Sequence, residues 1–150
     1  MLPLVLLAGG IGALLCSFSA GRLADHLGNG TAGTLAAIAV IVVLGAYFSL
    51  QYLPAPLVLP VLLVTSALQA YTVWGFSIAV QSQIAHLAPS SVPVAISLNM
   101  AAFNVGMAIA AAVGGIVVDS FGGGALPVAA LPPVLAAIAV WRLIPNPPRA

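Results

Sequence analysis

Charge is what this sequence lacks. Its 150 residues include no lysine and no glutamate, three arginines (Arg22, Arg142 and Arg149) and two aspartates (Asp25 and Asp119), against 63% hydrophobic residues. A soluble domain carries about 25% charged residues, and this chain has 3%. So few charges cannot cover a water-facing surface, because exposed apolar patches beyond a few hundred Å² drive association. Most of the chain must therefore face lipid, and the lipid bilayer is its first expected partner. A net charge of +1 without any basic cluster excludes nucleic acid, which demands a face of lysine and arginine. The single cysteine, Cys16, permits no internal disulfide and reads as a small packing residue inside an apolar run.

Catalytic groups are equally scarce. Two carboxylates are too few for a metal-dependent lipid transferase, which clusters several. His26 and His86 are expected in loops, and no Gly-x-Ser-x-Gly elbow occurs, so an intramembrane serine hydrolase would lack its base. The chain is expected to be no enzyme, with no cofactor and no metal site.

Long apolar runs are what the sequence has. A helix needs about 18 or more apolar residues to cross roughly 30 Å of hydrocarbon, where backbone N–H and C=O groups must pair internally. Five segments of the single domain 1–150 qualify, at approximately 2–20, 31–50, 57–84, 94–118 and 125–144. The expected fold is all-α, a polytopic membrane protein with about five transmembrane helices. A cleaved signal peptide is the rival reading of the first run, but it requires a basic region ahead of it, and none is there. Pro132 and Pro133 fall inside the fifth run and predict a kinked helix with an irregular outer end.

With five crossings, Arg22, His86, Arg142 and Arg149 all fall on one side, and the loops on the other side hold no Arg or Lys. The positive-inside rule then gives a multi-pass protein of the cell inner (plasma) membrane with its C-terminus in the cytoplasm. Trp141 beside Arg142 reads as an interfacial anchor at the inner face.

Small residues at every fourth position let membrane helices approach closely. The first span carries Gly9, Ala13, Ser17 and Gly21 in one stripe and Gly12, Cys16 and Ala20 in another; the fourth carries Gly106, Ala110 and Gly114. The third span sets Thr65, Gln69, Thr72, Phe76 and Gln83 in a narrow arc, with Ser77 and Gln81 in a second. Tyr71 and Trp74 add aromatic walls, and Asn99 and Asn104 contribute amides from the fourth span. Gln69, Thr72, Trp74, Phe76, Asn99 and Asn104 are the candidates for a substrate path; interhelical hydrogen bonding is the plainer role for each taken singly. No Asp, Glu, Lys or Arg sits in the middle of a span, where ion-coupling groups usually lie.

The polar stretch Gly21-Arg22-Leu23-Ala24-Asp25-His26-Leu27-Gly28 resembles the loop signature of the major facilitator superfamily, Gly-x-Leu-Ala-Asp-Arg-x-Gly. Ser97-Leu98-Asn99-Met100-Ala101-Ala102-Phe103-Asn104-Val105-Gly106-Met107-Ala108, followed by Gly114-Gly115-Ile116-Val117-Val118-Asp119, is similar to helix eleven of the drug:proton antiporter branch, especially its arabinose-efflux-like and purine-efflux-like members. The resemblance covers essentially the whole chain and implies helices eight to twelve, a partial C-terminal bundle. It implies a cytoplasmic gating motif in which Asp25 latches the closed state, Arg22 contacts lipid or a neighbouring loop, and Gly21 and Gly28 permit close packing and the turn. His26 and Asn29-Gly30 depart from the basic residues the family usually has there.

Such transporters are built from two halves with the site between them. The resemblance therefore implies the C-terminal part of a proton-coupled efflux transporter for a small-molecule substrate, encoded as a truncated frame or a piece of a longer one and unable to transport alone. Its partner would be the missing N-terminal half or another membrane chain. The other reading is a small non-transporting membrane protein that acts as a helix-packing or assembly partner.

Overall fold

The computed structural model describes residues 2–144, without the side chains of Ala24, Asp25 and Asn29. Among the described residues, five helical spans are long and apolar enough to cross a membrane. They comprise α1 (Leu2–Leu27), α2 (Asn29–Ser49) with a 3-10 turn at Leu50–Tyr52, α3 (Ala55–Leu87), α4 (Val92–Phe121), and a segmented last span. That last span is a 3-10 turn at Gly123–Ala125, then α5 (Leu126–Ala129) and α6 (Leu131–Leu143). The chain bends at Ala130, just ahead of Pro132 and Pro133, whose missing N–H groups fall in the first turn of α6, where no helical bond is lost.

Helix ends follow hydrogen bonding rather than hydropathy. The Gly21 to Leu27 stretch, read above as a loop, continues α1 to Leu27, because Leu23, Ala24 and Leu27 are strong helix formers and nothing breaks the ladder. Gly28 alone separates α1 from α2, at φ 80°, a conformation that glycine adopts without strain. His26 and His86 accordingly lie in the last turns of α1 and α3, not in loops. Pro56 and Pro93 occupy the first turns of α3 and α4 for the same reason as Pro132.

α3 is the hub. It packs along α1 and α2, while α6 leans on α2. Lipid supplies no hydrophobic drive for such packing, so it depends on close backbone approach. Of the two stripes on α1, Gly12, Cys16 and Ala20 face α3: a Cβ on Gly12 would overlap the carbonyl of Ala67, one on Gly75 would lie 3.6 Å from Cys16 Sγ, and Cys16 is fully buried. The Gly9, Ala13 and Ser17 stripe lies at the margin, with open space around Gly9 and Ser17 exposed. On α4, Gly106 meets nothing within 4 Å and Ala110 is exposed, whereas a Cβ at Gly114 would touch Leu126. α4 buries none of its 30 residues.

Gly12→Val should therefore wedge α1 from α3 and lower thermal stability of the detergent-solubilised protein by about 1–3 kcal/mol. Gly9→Ala should stay within about 0.5 kcal/mol of the parent. Melting followed by circular dichroism compares the two directly.

Candidate functional site

The polar groups buried in this lipid-facing chain gather on α3, where Thr65, Ser66, Thr72 and Gln83 are all buried. Helical back-bonding absorbs three of them: Thr65 Oγ1 donates to Val61 O at 2.7 Å, Ser66 Oγ to Leu62 O at 2.7 Å, and Thr72 Oγ1 to Gln69 O at 3.0 Å. Two tyrosines then join the helices. Tyr47 OH on α2 lies 3.1 Å from Ser66 Oγ, and Tyr71 OH on α3 lies 2.9 Å from Ser19 Oγ on α1. A hydroxyl has one proton. Ser66 and Ser19 give theirs to Leu62 O and Leu15 O, so the tyrosines are the donors in both bridges.

Around Tyr47 the bundle opens. One hollow of about 300 Å³ is lined by Val5, Tyr47, Ser66, Gln69, Ala70, Val73 and Trp74. A second, of about 480 Å³, lies between α2, α3 and the Gly123 to Ala130 segment, and Tyr47 and Gln69 line it too. Gln69 shares the arc of Thr65 and Thr72 yet is exposed, because its side chain borders these hollows rather than a neighbouring helix. An amide, a phenol and the half-exposed indole of Trp74 offer hydrogen bonds and aromatic faces to a small amphipathic molecule.

The remaining candidates lie elsewhere. Phe76 packs edge-on against Trp141, with ring centroids 5.4 Å apart and an interplanar angle of 62°. Thr72 faces a different, apolar cavity. Asn104 is exposed and donates to Met100 O on its own helix at 2.9 Å, and Asn99 is half-buried on α4. Of the gating motif, a Cβ at Gly21 would meet nothing within 4 Å, Arg22 is exposed near the end of α1, and Gly28 makes the turn. Asp25 is in the last turns of α1; its side chain, like Arg149, lies outside the described residues.

Trp141 is no interfacial anchor. It is 7% exposed, its Nε1 donates to Gly30 O at 3.3 Å, and its ring occupies the space where a Cβ on Gly33 would be. That carbonyl also accepts from Thr34 Oγ1. Sequence reasoning missed Tyr47 and Ser66; the one available signal was a hydroxyl-bearing aromatic near the end of an otherwise apolar run.

These features define a polytopic, all-helical membrane protein with a mixed polar and aromatic hollow among its spans. The chain belongs to the major facilitator superfamily, whose sequence model matches residues 1–150. No curated protein and no solved structure gave a match. Membership makes this a transporter-type membrane protein.

Gly33→Ala should expel the Trp141 ring and cost about 1–3 kcal/mol. In a Trp74→Phe background, the expected outcome is a shifted tryptophan emission maximum together with a lower melting temperature.

Proposed function

We propose that this chain is the C-terminal part of a small-molecule efflux transporter, proton-coupled in the complete protein, with its five spans corresponding to the last five of the family's twelve helices. The observation that carries the reading is α4: a membrane-length helix that bears Asn99 and Asn104 and buries none of its residues against the rest of the chain. Intramembrane amides are poorly accommodated by lipid, so α4 needs a protein or aqueous neighbour. A second bundle across a central cavity supplies both. The hollow around Tyr47, Gln69 and Trp74 would contribute one wall of the substrate path. The Gly21, Arg22, Asp25 and Gly28 motif would be the gate, with the Asp25 carboxylate favoured beside the positive end of a helix in the opposite half. The chain acts in the inner (plasma) membrane, with its C-terminus and the α1–α2 turn in the cytoplasm.

Two measurements test this. Inverted vesicles holding the chain alone should keep an imposed proton gradient, read by quenching of an amine dye, when a panel of amphipathic amines is added; dissipation specific to the chain refutes the reading. Upstream of Met1, seven further apolar spans in frame support it, and an unrelated sequence or a stop codon counts against it. For orientation, single cysteines replacing Arg22 or Ser120 in a Cys16→Ala background should differ. An impermeant maleimide added to whole cells should label position 120 and spare position 22, and labelling at position 22 would reverse the assignment.

A further inference from the structure

The cavity away from the Tyr47 hollows has its own logic. It measures about 170 Å³ and lies where α1, α2 and α3 meet. Small side chains create it: Ala20 on α1, Ala36 on α2, and Gly75 and Ala79 on α3 leave a void that no neighbouring side chain fills. Protein interiors are normally close-packed, and an apolar cavity of about 150 Å³ is known to stay dry and to admit a benzene-sized molecule. The polar side chains on this wall are Tyr71 and Thr72. Both already hold hydrogen bonds, to Ser19 and to Gln69 O, so the space suits hydrocarbon.

Its shape and surroundings narrow the occupant. The lining runs from Leu23, Ala32 and Ala79 at one end to Ala39 and Tyr71 at the other, about 10–12 Å along the helix axes at 1.5 Å per residue. At its rim, Leu23 is 42% and Leu35 48% exposed, so the opening meets the bilayer. The end at Leu23 lies near the α1–α2 turn. There Arg22 is the adjacent residue and His26 is one turn further along the face of Leu23, both exposed. Arginine is always cationic and both side chains donate hydrogen bonds. An acyl chain entering from the headgroup level of that leaflet would run parallel to the cavity and leave its phosphate beside these donors.

The geometry points to a lipid site: the cavity takes a phospholipid acyl chain, and Arg22 and His26 take the phosphate. The chain moves from hydrocarbon to hydrocarbon, so what the cavity adds is dispersion contact across a space otherwise void, and the cation adds the electrostatic share. The cavity is separate from the hollows at Tyr47, and only its phosphate end shares a residue, Arg22, with the gating motif of the transport reading.

A phospholipid with a photoreactive diazirine on its acyl chain tests the assignment in bilayers containing the full chain, with adducts mapped by mass spectrometry. Adducts should concentrate on residues 20–23, 32–39 and 71–79; labelling spread evenly over the outward faces of all the spans would overturn it. Ala36→Leu combined with Ala79→Leu fills the void and should lower labelling there to the level of the outward faces of the other spans, because the chain no longer fits. A folded double variant with unchanged labelling would also overturn it. Competition on the unaltered chain needs no variant: unlabelled phospholipid should displace the probe at about fivefold lower mole fraction than diacylglycerol, which lacks the phosphate. Equal competition by the two would refute the phosphate contact and with it the site.

Discussion

The close approach of α1 to α3 at Gly12 sets the distance from which the other contacts follow. With the Ala67 carbonyl where a Gly12 side chain would be, the two helices run near enough for Cys16 to seal against Gly75 and for Tyr71 to reach Ser19. α2 then completes the group through Tyr47 and Ser66, and α6 joins it through Trp141 on Gly33. The joints at Gly12, Gly75 and Gly33 each pair a missing side chain with a filled neighbour. In a solvent as apolar as the helices themselves, that dispersion contact and a few hydrogen bonds are the available adhesives.

The spans were legible because the cost of unpaired backbone groups in hydrocarbon writes itself into composition. Which stripe of α1 packs was not legible, since Gly9, Ala13, Ser17 and Gly12, Cys16, Ala20 share one period and differ only in what faces them. The polar arc of α3 was visible, but its division was not. Thr65 and Thr72 bond back to their own helix, Gln69 borders two hollows, and Phe76 is claimed by Trp141, a partner 65 positions further along the chain. Tyr47 escaped notice because its importance lies in Ser66, across a helix boundary. The polar end of α1 was misjudged for a different reason: hydropathy reports where lipid ends, while a helix ends where its ladder is broken, here at Gly28.

α4 and the α1–α2–α3 group embody two kinds of exposure. The leucines, Ile11 and Phe18 on the outside of α1 are content in lipid. Asn99 and Asn104 are not, and their helix buries none of its residues. A family that works by moving one bundle against another needs some helices that are fixed within a bundle and some that slide along a moving boundary. In this chain α3 has the packing of the first kind and α4 that of the second.

The hydroxyls have a consequence for biogenesis. Ser17, Ser19, Thr34, Thr65, Ser66 and Ser97 each donate to a carbonyl one turn earlier in the same helix. No polar hydrogen of theirs depends on a neighbouring span, so these hydroxyls add no unpaired donor to a helix as it leaves the insertion machinery. The hydroxyls therefore set no order of assembly; that falls to shape, to the two tyrosine bridges and to the amides of α4.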